Sequence, residues 1–106
     1  MQGLASAVRH EAAFRQELGV ALIALPIAIW LGRTALEVFL LMASIMFVLI
    51  VELLNSAIEA LADTITKEHH PLIGQAKDLA SAAVFLSVIL AASTWFIIAV
   101  LRFLPF

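Results

Sequence analysis

Apolar and polar positions fall into long blocks along this chain, and the blocks predict membrane-spanning helices. Three stretches are apolar enough to cross a bilayer, namely residues 17–32, 34–51 and 79–101. The last is uncharged and matches the roughly 20 residues that a helix needs to cross about 30 Å of hydrocarbon. The helix of the second should continue past its apolar part to about Thr66. The first contains Pro26, which neighbouring helices can accommodate within a bilayer.

The polar connections predict how these spans are arranged. Gly32 and Arg33 form a very short link, so the first two spans should make an antiparallel hairpin. Most charges collect on the opposite side, in a surface segment at about residues 1–16 and in the second link. Four of the six basic residues fall on that side: Arg9, Arg15, Lys67 and Lys77. The positive-inside tendency makes it the cytoplasmic side.

Composition agrees with this interpretation and excludes other classes of protein. Hydrophobic residues make up 64% of the 106 residues, charged residues make up 13%, and the mean hydropathy is +1.11. A soluble domain has about 25% charged residues. One domain, 1–106, is expected, and the N-terminus lacks the apolar core of a cleavable signal. A net charge of −2 provides no basic patch for nucleic acid, and the absence of cysteine excludes disulfides and thiolate metal sites.

A polar stripe begins where the second apolar run ends. Glu52, Asn55, Glu59 and Asp63 fall within roughly 80° of arc on a helix that turns about 100° per residue. Ionised groups at the edge of a bilayer are costly unless they meet a partner, a metal or water, so they are functional hypotheses by default. Glu52 and Glu59 lie about 10 Å apart along one helix, too far to bind one small ion together. A second helix must supply the other ligand.

An acidic, sulfur-free site of this kind is suited to Mg²⁺ and nucleotide phosphates. Glu11 is the expected second carboxylate, and Arg15 and Lys77 are the available cations. Phosphoryl transfer needs a metal, cations, and a carboxylate that orients or deprotonates a hydroxyl. Two other interpretations remain open on these grounds. The charges of the surface segment can be solvated ion pairs, and the stripe can belong to a small membrane transport or packing protein that uses intramembrane Glu.

Other residues have a simpler structural interpretation. Glu37 is most simply an exposed charge near the short link. Trp30 and Trp95 fall toward the side opposite the stripe, where aromatic rings commonly anchor at the membrane interface. The third span is rich in Ala and Ser, which favours close helix packing and suits an oligomer.

Three segments closely resemble the prokaryotic diacylglycerol kinase family, in order and at the family's spacing. They are Glu11-Ala12-Ala13-Phe14-Arg15-Gln16-Glu17, the stretch from Val51 to Ala60, and Gly74-Gln75-Ala76-Lys77-Asp78 with Ser81. The resemblance implies an all-α membrane protein with three transmembrane helices plus a short N-terminal interfacial helix, assembled as a homotrimeric bundle in the bacterial inner membrane. It also implies that the enzyme phosphorylates diacylglycerol with MgATP at the cytoplasmic surface. The product would be phosphatidic acid, formed at a site shared between protomers.

The resemblance further implies roles for individual residues. Glu52 looks like the base that acts on the lipid hydroxyl, and Asn55 would support the γ-phosphate region. Glu11 and Glu59 look like ligands of Mg²⁺ and ATP. Further ATP contacts would be Glu68, His69, His70, Lys77 and Asp78. Lipid contacts would be Glu52, Ala13, Phe14, Arg15, Gln16, Glu17, Ser81 and, deeper in the membrane, Trp30 and Trp95.

The chain differs from the family pattern chiefly at its front. Members typically carry a longer amphipathic N-terminal helix, whereas here little precedes Gly3. A close relative of the family phosphorylates undecaprenol with the same polar motifs, so undecaprenol is the alternative substrate.

Overall fold

The structure is a computed structural model that describes residues 2–65 and 71–104, without the side chains of His10 and Ala13. Within these ranges the chain forms four helices: α1 (Gln2–His10), α2 (Ala12–Leu31), α3 (Ala35–Ile65) and α4 (Pro71–Phe103). By length and composition, α2, α3 and α4 are each able to cross a membrane. The predicted fold class, a helical membrane protein with three long apolar helices and a short N-terminal one, is confirmed. Assembly as a trimer stays a prediction.

The two longest helices reach beyond a bilayer's hydrocarbon core. α3 has 31 residues and α4 has 33. At a rise of 1.5 Å per residue they measure about 46 and 50 Å, whereas the hydrocarbon core is about 30 Å thick. α3 continues through the polar stripe, and α4 starts at Pro71, before the apolar run that begins at Leu79. Polar parts of two helices therefore lie side by side outside the apolar layer.

α3 is the central helix of the described chain, because it packs against both α2 and α4 while those two barely touch. The buried cluster of Ala28, Leu31, Leu41 and Ile98 lies toward the short link. Trp95 packs against this cluster, and its indole N–H donates to the carbonyl oxygen of Leu41 at 3.2 Å. Of the small residues in α4, those that are buried are Ala80, Ser87 and Ala91. Their small side chains let the helices approach closely.

The short link is built by two local features. A Cβ added at Gly32 would lie 2.7 Å from Val38 Cγ2 and 2.9 Å from Val38 N, so a larger residue needs the backbone to shift. Beyond it, Thr34 Oγ1 accepts a hydrogen bond from the Glu37 N–H at 3.1 Å, and Glu37 Oε1 accepts one from the Arg33 N–H at 2.9 Å. This arrangement resembles a capping box, which satisfies free backbone donors at a helix start. Glu37 is therefore more than the exposed charge that the sequence suggested.

Candidate active site

The polar stripe lies on α3 where the sequence predicted it. Glu52 and Asn55 are half-buried and Glu59 is exposed. The Asn55 Nδ2 donates to Glu59 Oε1 at 3.1 Å, one helical turn further out. The other amide atom, Asn55 Oδ1, is buried and has no hydrogen-bond partner among the described residues. A buried acceptor without a donor is uncommon and costly in folded proteins, so a water or a ligand donor at this atom would be stabilising.

Carboxylates from two parts of the chain converge on Glu52. The charges that interact with it are, in decreasing order of effect, those of Glu17, Glu59 and Glu11. Glu11 occupies the break between α1 and α2, and it makes no side-chain capping hydrogen bond to α2. Its carboxylate is thus not engaged by the start of that helix. The structure brings together the acidic residues that the sequence placed on separate segments, and their summed negative charge favours a bound cation.

A cation lies beside the outer part of the stripe. Lys77, in the first turns of α4, donates from its Nζ to Asp63 Oδ1 on α3 at 2.8 Å. Its amine also interacts electrostatically with Glu59. The neighbouring Asp78 and, one turn further along α4, Ser81 are exposed. The start of α4 therefore contributes one positive charge to the acidic face of α3.

Arg15, in the first turn of α2, makes hydrogen bonds to the end of α1. The Arg15 guanidinium Nη1 donates to the carbonyl oxygens of Val8 at 3.0 Å and Arg9 at 3.1 Å. These carbonyls belong to the last turn of α1, which has no intrahelical partners for them. Phe14 is buried within the protomer, whereas Gln16 is exposed. Arg15 thus links α2 to the end of α1 while remaining exposed, and its expected role as a cation for phosphate or lipid stays a prediction.

An apolar groove runs between the three long helices, with a carboxylate among its lining residues. Its volume is about 330 Å³. The lining residues are Glu17, Val20, Ala24, Ile45, Val48, Val88, Ala91, Ala92 and Trp95. Two of the predicted lipid contacts, Glu17 and Trp95, thus share one groove. Trp30 does not line it. Its ring lies 5.6 Å from that of Phe103, and the Arg102 guanidinium lies 5.7 Å from the Trp30 ring centroid.

A second cavity, of about 530 Å³, lies between α1 and the outer part of α3. Its lining residues are Gly3, Leu4, Ser6, Ala7, Glu11, Leu53, Ser56, Ala57 and Ala60. Cavities of about 300–1,000 Å³ are typical of small-molecule sites. Glu11 lines this cavity, and its charge also acts on Glu52. The cavity therefore borders the acidic cluster.

The described part of one protomer contains few side chains that could bind a metal ion together. Within residues 2–65 and 71–104, no group of three or more His, Asp or Glu side chains is placed to hold an ion. The donors present are carboxylate oxygens, which suit Mg²⁺, and Mg²⁺ in nucleotide sites typically uses only one or two carboxylates plus phosphates and water. Glu11 and Glu59, the two carboxylates that the sequence predicts as metal ligands, are donors of this type, and their role stays a prediction. The expected ATP contacts Glu68, His69 and His70 lie outside the described residues.

Sequence reasoning included Asp63 in the stripe but gave it no role. The sequence did contain a signal for a role, namely two opposite charges, with Asp63 near the end of α3 and Lys77 near the start of α4. Two helices joined by a short connection place such residues side by side.

Comparison with known proteins identifies the family. The family model for prokaryotic diacylglycerol kinase matches residues 1–99. A protein from Escherichia coli strain K12 named diacylglycerol kinase is 52% identical over 97 residues, which are 92% of this chain and 80% of that protein. Proteins of the same name from Haemophilus influenzae and Helicobacter pylori strain 26695 are 43% and 40% identical. These matches cover 90% and 88% of this chain, and 80% and 73% of the respective relatives. With nearly the whole chain matched by the model and by these relatives, the protein belongs to the prokaryotic diacylglycerol kinase family.

Proposed function

We propose that this protein transfers the γ-phosphate of ATP to the hydroxyl of diacylglycerol, giving phosphatidic acid and ADP. The observation that carries the proposal is the acidic cluster around Glu52, placed one residue beyond an apolar run in a member of this family. A lipid hydroxyl and a nucleotide phosphate meet only at the boundary between the apolar layer and water. Glu52 lies at that boundary on α3.

The apolar groove supports a lipid as the acceptor. It is lined by aliphatic residues and Trp95 and includes the carboxylate of Glu17. Glu17 is also the residue whose charge acts most strongly on Glu52. An acyl chain in the groove would direct the glycerol hydroxyl toward these two carboxylates, with Gln16 and Ser81 as further proposed polar contacts. Chains held in place by the groove would reduce the entropy lost when the hydroxyl reacts.

The acidic cluster supports a nucleotide bound with a divalent cation. Glu11 and Glu59 would hold Mg²⁺ together with phosphate oxygens, and Lys77 and Asp78 would contact the nucleotide. Bound Mg²⁺ supplies neutralisation of the phosphate charge. The buried Oδ1 of Asn55, which has no hydrogen-bond partner in the described part of the chain, is available to accept a hydrogen bond from a water or another donor in the γ-phosphate region. The cavity beside Glu11 offers space for part of the nucleotide.

In the proposed reaction, the lipid hydroxyl oxygen forms a bond to the γ-phosphorus while the bond to the ADP oxygen breaks. The hydroxyl proton passes to the Glu52 carboxylate. Positioning and electrostatic stabilisation do most of the work in phosphoryl transfer, and proton removal adds to them. The amine of Lys77 would bind phosphate oxygens of the nucleotide further from the membrane than the reacting hydroxyl.

The proposed active form is a homotrimer in the bacterial inner membrane, with the site facing the cytoplasm and shared between protomers. Large apolar side chains such as Leu22, Phe85 and Phe96 are about two-thirds exposed on one protomer, so they are free to meet lipid or another copy. The site is proposed to face the cytoplasm because four of the six basic residues lie on its side of the membrane.

The test is transfer of labelled γ-phosphate by purified protein in detergent micelles that contain either diacylglycerol or undecaprenol. We expect labelled phosphatidic acid, since the relatives named above are all diacylglycerol kinases, and those names favour neither undecaprenol nor a transport protein. Transfer to undecaprenol alone would overturn the assignment of diacylglycerol as the substrate and would still support a lipid kinase. No transfer to either lipid would overturn the kinase assignment.

A further inference from the structure

Asp63 is the residue of the polar stripe that has no role in the proposed reaction. It forms an ion pair with Lys77 that joins α3 to α4 through a 2.8 Å hydrogen bond. Both side chains are solvent-accessible, with relative exposures of 65% for Asp63 and 41% for Lys77. Exposed ion pairs contribute little to folding stability, because solvent screens them and two side chains must be ordered. The pair is therefore poorly suited to being a structural clamp.

Its geometry suits the control of one amine. A lysine ammonium has three N–H donors on a flexible four-carbon stem. One donor is used by Asp63, which leaves two for phosphate oxygens. Glu59, the expected metal carboxylate, is near enough for its charge to act weakly on the same amine. Fixing a flexible side chain before a ligand arrives reduces the ordering cost of binding.

We propose that Asp63 is a positioning residue that holds the Lys77 ammonium ready for the nucleotide phosphates. The proposal rests on the proposed function, since it takes MgATP as the ligand. Asp63 itself does not touch the substrate. It is the outermost residue of the polar stripe on α3, and its Oδ1 accepts a hydrogen bond from Lys77.

The first experiment measures steady-state kinetics of Asp63→Ala and Asp63→Asn with MgATP and diacylglycerol. We expect Asp63→Ala to raise KM for MgATP about three- to fivefold, the upper range for an exposed ion pair, with kcat and KM for the lipid nearly unchanged. Asp63→Asn should recover much of the loss, because its amide oxygen can still accept from the ammonium. An unchanged KM for MgATP in Asp63→Ala would overturn the proposal, as would an equal loss in both variants.

A matched control is Glu37→Ala, which breaks the ion pair with Arg33 near the other end of α3. It removes a carboxylate from the same helix and weakens its start, and it should lower thermal stability without changing KM for MgATP. If Glu37→Ala raises that KM as much as Asp63→Ala does, the effect is structural and the positioning role is refuted.

The second experiment needs no turnover. Binding of a magnesium complex of a non-hydrolysable ATP analogue is measured for Asp63→Ala, Lys77→Met and the double variant. If Asp63 acts through Lys77, Asp63→Ala weakens binding in the wild-type background and has no further effect on Lys77→Met. Additive losses would overturn the proposal and indicate that Asp63 contacts the metal or nucleotide directly. This measurement also separates the two proposals, because a protein that binds the analogue with this coupling but transfers no phosphate would refute only the proposed function.

Discussion

Replacing Glu52 with Gln should remove the proposed base while keeping the shape of the side chain. A positioned general base typically contributes about 10²- to 10⁴-fold to rate, which is about 3 to 5 kcal/mol of activation free energy. The structure adds a second expectation, because Glu52 is half-buried among the negative charges of Glu17, Glu59 and Glu11. Removing one of four like charges relieves repulsion, so the folded protein should be no less stable. The variant should therefore be inactive and well folded.

The assay is turnover at saturating MgATP and diacylglycerol in mixed micelles, alongside the thermal midpoint in the same detergent. The matched control is Glu37→Gln, in the first turn of the same helix, where the carboxylate accepts from the Arg33 N–H. We expect near wild-type turnover there and at most a slightly lower midpoint, because the amide oxygen still accepts that hydrogen bond while the exposed ion pair with Arg33 is lost. Turnover of Glu52→Gln within about tenfold of wild type would refute its role as base, since a base contributes more than that. A lower midpoint for Glu52→Gln would refute the repulsion argument.

Three further changes test other parts of the arrangement. Arg15→Ala should leave the last carbonyls of α1 without a donor and speed hydrogen exchange of the α1 amides, and unchanged exchange would contradict the capping role. Trp95→Phe should lower stability by about 1 kcal/mol, because the indole N–H to the Leu41 carbonyl is lost while ring packing is kept, and an unchanged midpoint would count against that hydrogen bond. Glu59→Gln keeps an acceptor for Asn55 but loses charge, so the Mg²⁺ titration of activity should move to higher concentration, and an identical titration would exclude Glu59 as a metal ligand.

The fold could be predicted from the sequence because each long helix carries an apolar run of the length that a bilayer requires. The continuation of α3 past Val51 was also predictable, since the polar residues beyond it keep the helical period of the apolar part. The hydrophobic pattern did not predict the hydrogen bonds that Glu37 makes near the short link. The signal was present as Thr34 followed three residues later by Glu, which is the capping-box spacing.

The contacts of Arg15 could not be predicted in the same way. An arginine near Glu11 and Glu17 is chemically suited to bind phosphate or lipid headgroups, and the sequence supports that expectation. In the structure the Arg15 guanidinium donates hydrogen bonds to carbonyl oxygens at the end of α1. These carbonyls are within its reach because the helical conformation breaks at Glu11. Whether a helix breaks at one residue depends on packing between α1 and its neighbours. No periodicity in a nine-residue helix encodes that packing.

α3 orders the proposed chemistry by depth. At 1.5 Å per residue, Asn55, Glu59 and Asp63 lie about 4, 10 and 16 Å further from the apolar layer than Glu52. A lipid hydroxyl cannot move far out of the membrane, because its acyl chains hold it there, whereas phosphates cannot enter the hydrocarbon. The reacting atoms must therefore meet at the inner end of the stripe, and the charges that hold the nucleotide must lie further out. Glu52 and the Asp63–Lys77 pair lie at those two ends, so in the proposed function the spacing along one helix would separate proton removal from phosphate binding.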